Sequence, residues 1–156
     1  MKKQLLLLVM LLLPTIVLAD KSGTCGDNLT WTLDESTGTL TIEGSGTMKD
    51  YSSINNQAPW YGIRTKIIKV VIDDGANNIG NWAFSNCSNL TTVSIPNSVS
   101  WIGERSFYRC GLTSVMVGNN VSTIGKYAFA SCTKLTSVTI PNCMWFIDEG
   151  AFENCI

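Results

Sequence analysis

Apolar and polar residues alternate along this chain with two different rhythms. Leu29-Thr30-Trp31-Thr32-Leu33 alternates strictly, and Thr39-Leu40-Thr41-Ile42 alternates again after Asp34 to Gly38. Period-two alternation places apolar side chains on one face of an extended strand, so this segment predicts a β-hairpin. Gly44 and Gly46 break the pattern, and Pro59-Trp60-Tyr61 leads into a longer one. Ile79-Gly80 runs on through Ala83, Phe84, Cys87, Leu90, Val93, Ile95, Pro96 and Val99. Ile102-Gly103 restarts the pattern through Phe107, Cys110, Leu112, Val115, Val117 and Val121. Ile124-Gly125 does so again through Ala128, Phe129, Cys132, Leu135, Val138, Ile140, Pro141 and Met144. A fourth copy begins at Ile147 and reaches Cys155, while Ile67, Val70, Ile72 and Ala76 match the second half of a unit upstream. The leading isoleucines lie 23, 22 and 23 residues apart. The residue missing from the middle unit falls between Cys110 and Leu112, in a connection. Inside a strand the same slip would turn side chains to the wrong face.

This period and the order L-x-x-V-x-I predict a leucine-rich-repeat solenoid, right-handed and β-rich, with a parallel sheet and short helical turns. Leu90, Val93 and Ile95 point inward, whereas Thr92 and Ser94 point outward. Each coil contributes one strand, stacked ~4.8 Å from the next. The phenylalanines Phe84, Phe107, Phe129 and Phe152 fill the far side, on a helical turn expected after each Ile-Gly. A solenoid exposes apolar core at its ends, and the hairpin is the N-terminal β cap. The expected organisation is a leader over 1–19, the cap over 20–58 and repeats over 59–156, the last of them truncated.

The run I-G-x-x-A-F-x-x-C-x-x-L-T-x-V-x-I-P-N-x-V, read from Ile79 to Val99 and from Ile124 to Met144, resembles the BspA-like leucine-rich repeat of bacterial and protist surface antigens. The second unit departs from it with Ser106 for Ala and Gly118 for Pro. The resemblance implies adhesion to host or matrix molecules, and a β segment often precedes such repeats.

Composition narrows the chemistry. Lys2 and Lys3, the apolar run Leu5 to Leu13, Pro14 and Val17-Leu18-Ala19 have the layout of a secretory signal peptide, too short to span a bilayer. Its removal takes the formal charge from −1 to −3, and no second apolar run follows, so no membrane insertion is expected after cleavage. Near-neutral charge excludes a nucleic-acid footprint. Histidine is absent, so no Ser-His or Cys-His nucleophile pair can form. The chain is not expected to be an enzyme, nor to carry a cofactor.

Cys87, Cys110, Cys132 and Cys155 share one repeat position and read as buried thiols filling the coil wall. Pairing them would require parallel Cβ atoms to tilt together. With no C-x-x-C pair and no histidine, a metal site is not expected. Asp73-Asp74-Gly75 reads as a turn, and the adjacent acids Asp34-Glu35 and Asp148-Glu149 point apart, unlike a glycosidase pair. That leaves the outward strand positions as the candidate binding strip on the concave face: Lys69, Val71, Thr92, Ser94, Ser114, Met116, Ser137 and Thr139. Small and hydroxyl-rich, the strip suits an extracellular protein or glycan, although strand propensity alone produces the same composition. The apolar end around Phe146, Ile147 and Phe152 opens a second route, end-to-end self-association, and in a third the repeats serve as the targeting part of a larger surface enzyme.

Overall fold

A computed structural model describes residues 21–155, so the leader sequence lies outside the described residues. The hairpin forms as the alternation predicts. Strands β2 (Leu29–Asp34) and β3 (Thr39–Gly44) pair antiparallel, with Trp31 opposite Ile42 and Leu33 opposite Leu40. A further strand, β1 (Lys21–Thr24), flanks β2. Its sequence KSGT is exposed throughout, so no alternation could announce it. The cap is not a separate module. Strand β3 runs parallel to the first repeat strand, β4 (Lys69–Ile72), setting Leu40 beside Val70 and Ile42 beside Ile72.

Two sheets and a wall of turns enclose the core. The repeat strands Thr92–Ser94 (β6), Ser114–Met116 (β8) and Ser137–Thr139 (β10) follow β4 in parallel, making a seven-stranded sheet with the cap. A second parallel sheet stacks Asn78–Ile79 (β5), Trp101–Ile102 (β7), Thr123–Ile124 (β9) and Phe146–Ile147 (β11). The Asn78 amide joins cap to coil, its Oδ1 accepting from the Met48 N–H at 2.8 Å and its Nδ2 donating to the Met48 carbonyl at 3.2 Å.

The third wall differs from the helical turns expected after each Ile-Gly. Among the described residues the one helical segment is a 3-10 turn, Tyr61–Lys66. Elsewhere the amides alternate between two partners. Those of Ala83, Ser85 and Cys87 close turns onto Gly80, Trp82 and Phe84, while those of Trp82, Phe84 and Asn86 cross to Glu104, Ser106 and Tyr108 of the next coil. The same alternation recurs one and two coils on. A helix would spend every amide within its own segment; here half of them stitch neighbouring coils together. The geometry forces left-handed backbone at Trp82, Arg105 and Tyr127 (φ 58°, 49° and 55°), where the fourth coil has Gly150. For large side chains that costs about 1 kcal/mol each.

Aromatic rings run down the core. Trp60, Phe84, Phe107, Phe129 and Phe152 stack at 5.2, 5.3, 5.1 and 5.3 Å between centroids, with planes within 13° of parallel. Trp60 is the first rung, fixed by its indole N–H donating to the Ala83 carbonyl at 2.7 Å. Beside this column Ala83, Ala128 and Ala151 are buried, and Ser106 takes the same place in the second coil. The Ser106 hydroxyl is fully buried without a partner. A buried orphan hydroxyl destabilises, so Ser106→Ala is expected to stabilise the fold by about 1 kcal/mol. Thermal denaturation should show a rise on the order of 4 °C in Tm; an unchanged or lower Tm would mean the hydroxyl is satisfied.

A strand face, a thiol column and their chemistry

The outward positions of the long sheet come together as the register requires. Lys69 lies beside Thr92 and Val71 beside Ser94. Ser94 pairs with Met116, which pairs with Thr139, and Ser114 lies beside Ser137. All eight candidate residues share this face; seven are exposed, and Val71 is half-buried. The cap extends the face further than the repeats alone indicated. Thr39 adjoins Lys69 and Thr41 adjoins Val71, with Thr32 beside Thr41 and Ser22 beside Thr32. One hydroxyl-rich surface therefore spans all seven strands.

Its most shaped part is an open depression of ≈ 650 Å³ at the carboxyl ends of β6, β8 and β10. Met116, 73% exposed, projects into it between Ser94 and Thr139. Asn97, Asn119 and Asn142 line its rim. Asn97 Oδ1 accepts from the Asn119 N–H at 2.8 Å, which ties two of these turns together. These asparagines were not among the candidate residues. The signal was there in the repeated Pro-Asn, but in sequence it reads as a strand terminator. An exposed thioether among hydroxyls and amides offers apolar contact beside hydrogen-bond donors and acceptors.

The repeat cysteines stack in a column as free thiols. Cys110 donates to the Phe84 carbonyl at 3.1 Å, Cys132 to Phe107 at 3.1 Å and Cys155 to Phe129 at 3.2 Å. Burial pushes the thiols of Cys87 and Cys132 up to about 12 and that of Cys25 up to about 11; Cys110 also lies well above its ordinary range. The reactive thiolate is thereby suppressed. Cys143 is exposed, donating to the Asn119 carbonyl at 2.8 Å. Brief maleimide treatment of the native protein followed by peptide mass spectrometry is expected to label Cys143 fully and Cys155 in part. Cys25, Cys87, Cys110 and Cys132 should react only after unfolding. Native-state labelling of Cys110 would show that the wall opens. Among the described residues no group of three or more His, Cys, Asp or Glu side chains is placed to hold a metal ion. None of the helices there is long and apolar enough to cross a membrane.

The turn wall carries a second group of polar side chains. Lys126 bonds Glu149 at 2.7 Å and the Tyr127 hydroxyl donates to the same carboxylate at 3.2 Å. The Lys126 hydrogen bond holds the Glu149 carboxyl below its usual range. The acid pair Asp148-Glu149 is thus divided, with Glu149 engaged on the wall and the Asp148 carboxylate accepting from the Glu149 N–H at 2.7 Å. Asp73 and Asp74 are exposed in their turn.

The fold recurs in solved bacterial proteins. A leucine-rich repeat protein from Eubacterium ventriosum superposes with a TM-score of 0.63 at 24% identity, over 78% of this chain and 40% of its own. The T. pallidum leucine-rich repeat protein gives 0.61 at 23%, over 85% of this chain and 67% of its own. The chain thus spans less than half the length of the first. No curated protein matches its sequence. The model of the BspA type leucine rich repeat region matches residues 52–156 in six copies. The chain belongs to the BspA-type leucine-rich-repeat family.

Proposed function

We propose that this protein is a secreted or cell-surface binding module that holds an extracellular protein ligand against the outward face of its long sheet. The observation that carries the reading is the continuous hydroxyl-rich face with Met116 set in an asparagine-rimmed depression. Leucine-rich solenoids bind through such extended surfaces, and the chemistry there is recognition rather than catalysis. The N-terminal segment Met1 to Ala19 supports export, and the family resemblance favours adhesion to host or matrix molecules. Met116→Glu tests the site, because the side chain is exposed and the charge should leave folding intact. On an array of matrix proteins and glycans the wild type is expected to bind a protein. The variant should lose at least about tenfold in affinity, the scale of one hot-spot contact. Equal binding by both proteins moves the site off this face.

The far end of the solenoid favours a second reading, self-association. Trp145 is 88% exposed, and Phe146 and Ile147, next to it in the chain, are exposed as well. Apolar surface of this kind at the end of a solenoid is covered by a second copy or by further coils of the same chain. Light scattering at two concentrations distinguishes a monomer from copies joined through these residues.

A further inference from the structure

Two outward columns of the solenoid each carry one apolar side chain among polar ones. Ile68 stands where the other coils have Thr91, Thr113 and Thr136, and Trp145 stands where they have Asn77, Ser100 and Ser122. The backbone fixes both alignments. The Thr91 amide donates to the Ile68 carbonyl at 2.9 Å, and the Trp145 amide donates to the Ser122 carbonyl at 2.8 Å. Neither side chain is exposed for want of a neighbouring coil. Ile68 is 48% exposed although its strand is flanked on both sides. In the column of Trp145, Asn77 and Ser100 are exposed and Ser122 is half-buried, all with neighbours on both sides. We propose that the two are halves of one contact, in which the Trp145 indole of one copy of this chain enters a cavity floored by Ile68 of another.

The cavity has the size and the lining for a bicyclic aromatic group. It holds ≈ 550 Å³ between the hairpin turn, the 3-10 turn and Asn89, and clefts of roughly 300–1,000 Å³ take drug-sized groups. Ile68 reaches its floor because position 38 is a glycine; a Cβ there would lie 2.8 Å from Ile68 Cγ1. The walls are held in place. Lys66 bonds the Glu35 carboxylate at 2.9 Å, and the Asn89 side-chain amide donates to the Thr65 carbonyl at 2.7 Å. Groups fixed in advance lose less on binding. Lys66 stays exposed at the rim, where its ammonium can lie over an aromatic face, and tryptophan is the ring that makes this contact best. A tryptophan that becomes buried also needs a partner for its N–H. The Asn89 side-chain carbonyl and the Ser36 hydroxyl are acceptors on the cavity wall.

The tryptophan and the cavity lie at opposite ends of the strands. Ile68 comes just before β4, whereas Trp145 follows the Pro141-Asn142 turn beyond β10. One chain therefore cannot fill its own cavity, and a second copy supplies the occupant. Two reciprocal contacts close a two-fold dimer; one contact per copy propagates a chain. The assignment rests on the self-association reading above and gives Trp145 a receiving surface. It does not involve Met116, which lines a different depression.

The test is analytical ultracentrifugation of the purified protein between about 10 µM and 1 mM, the range for a small contact with one aromatic anchor. Trp145→Ser and Ile68→Thr each install a residue that other coils carry at that position, so both are expected to fold. The wild type should associate, and each variant should do so about tenfold more weakly. Mixing the two variants is the decisive arm. The intact tryptophan of Ile68→Thr then meets the intact cavity of Trp145→Ser, and the mean mass should rise above that of either variant alone. Met116→Glu should associate as the wild type does. A wild type that stays monomeric overturns both this assignment and the self-association reading. Association that Trp145→Ser weakens and Ile68→Thr does not keeps self-association through the far end and overturns the cavity. No rise in mass on mixing overturns it too, as does loss of association with Met116→Glu.

Discussion

Phe107→Ala is expected to cost about 3–5 kcal/mol, the range for deleting a fully buried aromatic ring. Phe107 is wholly buried and stacked on both sides, 5.3 Å from Phe84 and 5.1 Å from Phe129. A small domain is stable by roughly 5–15 kcal/mol in total, so this one substitution removes about a fifth or more. The form of the loss matters as well as its size. Stability in a solenoid accrues at the interfaces between neighbouring coils, and the hole sits midway along the stack. Hydrogen exchange should therefore show residues 111–155 losing protection before residues 21–80. Phe152→Ala is the comparison. It stacks on one side only and is half-buried, so its cost should be smaller by about half or more. Equal costs, or a single cooperative loss of protection across the whole chain, would contradict the stacked-coil account.

Gly103→Ala is the second large effect, and its sign is the informative part. Where space and backbone permit, replacing glycine by alanine stabilises by about 0.4–1 kcal/mol, because the unfolded chain has less freedom to lose. Gly103 has no positive φ to require a glycine. Its Cβ, however, would stand 2.6 Å from the Asn81 nitrogen and 2.7 Å from the Gly80 carbonyl carbon, both backbone atoms of the preceding coil. Gly125 faces Gly103 and Glu104 in the same manner, and Gly80 faces the Lys49 carbonyl at 2.0 Å. The Ile-Gly that opens three of the four units is thus a close-approach site. A methyl there wedges two coils apart and should cost about 2–3 kcal/mol by overpacking. Gly62→Ala is the control, since nothing lies within 4 Å of its Cβ, and it is expected to be neutral or mildly stabilising. Urea denaturation of the two variants measures both signs. A stabilised Gly103→Ala would show that the coils have room to spare.

The parts of this molecule that were legible in sequence are those written in apolar side chains. Leu90, Val93 and Ile95 point inward and Thr92 and Ser94 outward because strand geometry leaves no other choice. The hairpin and the candidate strip follow from the same rule. What escaped was written in the backbone. Strand β1 has no buried residue, so pairing with β2 is its whole signature. The alternating turns of the third wall look helical in sequence because Ala83-Phe84 and Ala128-Phe129 suit a helix. Their form is decided by the amides that cross to the next coil, which a single unit does not reveal. Trp60 was read as the entrance to the first coil; its place as a rung of the aromatic column appears only when the coils are stacked. The Asn97, Asn119 and Asn142 rim was hidden in the same way, three turn residues far apart in sequence and side by side in space.

The contacts that join one coil to the next have a genetic consequence. The three coils that open with Ile-Gly each present a glycine, a phenylalanine ring and a row of crossing amides, so the junctions among them are built alike. A gene encoding such a chain can gain or lose 22 or 23 codons at a time and leave the remaining junctions as they were. Recombination between its repeated segments would then lengthen or shorten the outward face in whole strands, making ligand reach a trait that changes by copy number as well as by point mutation.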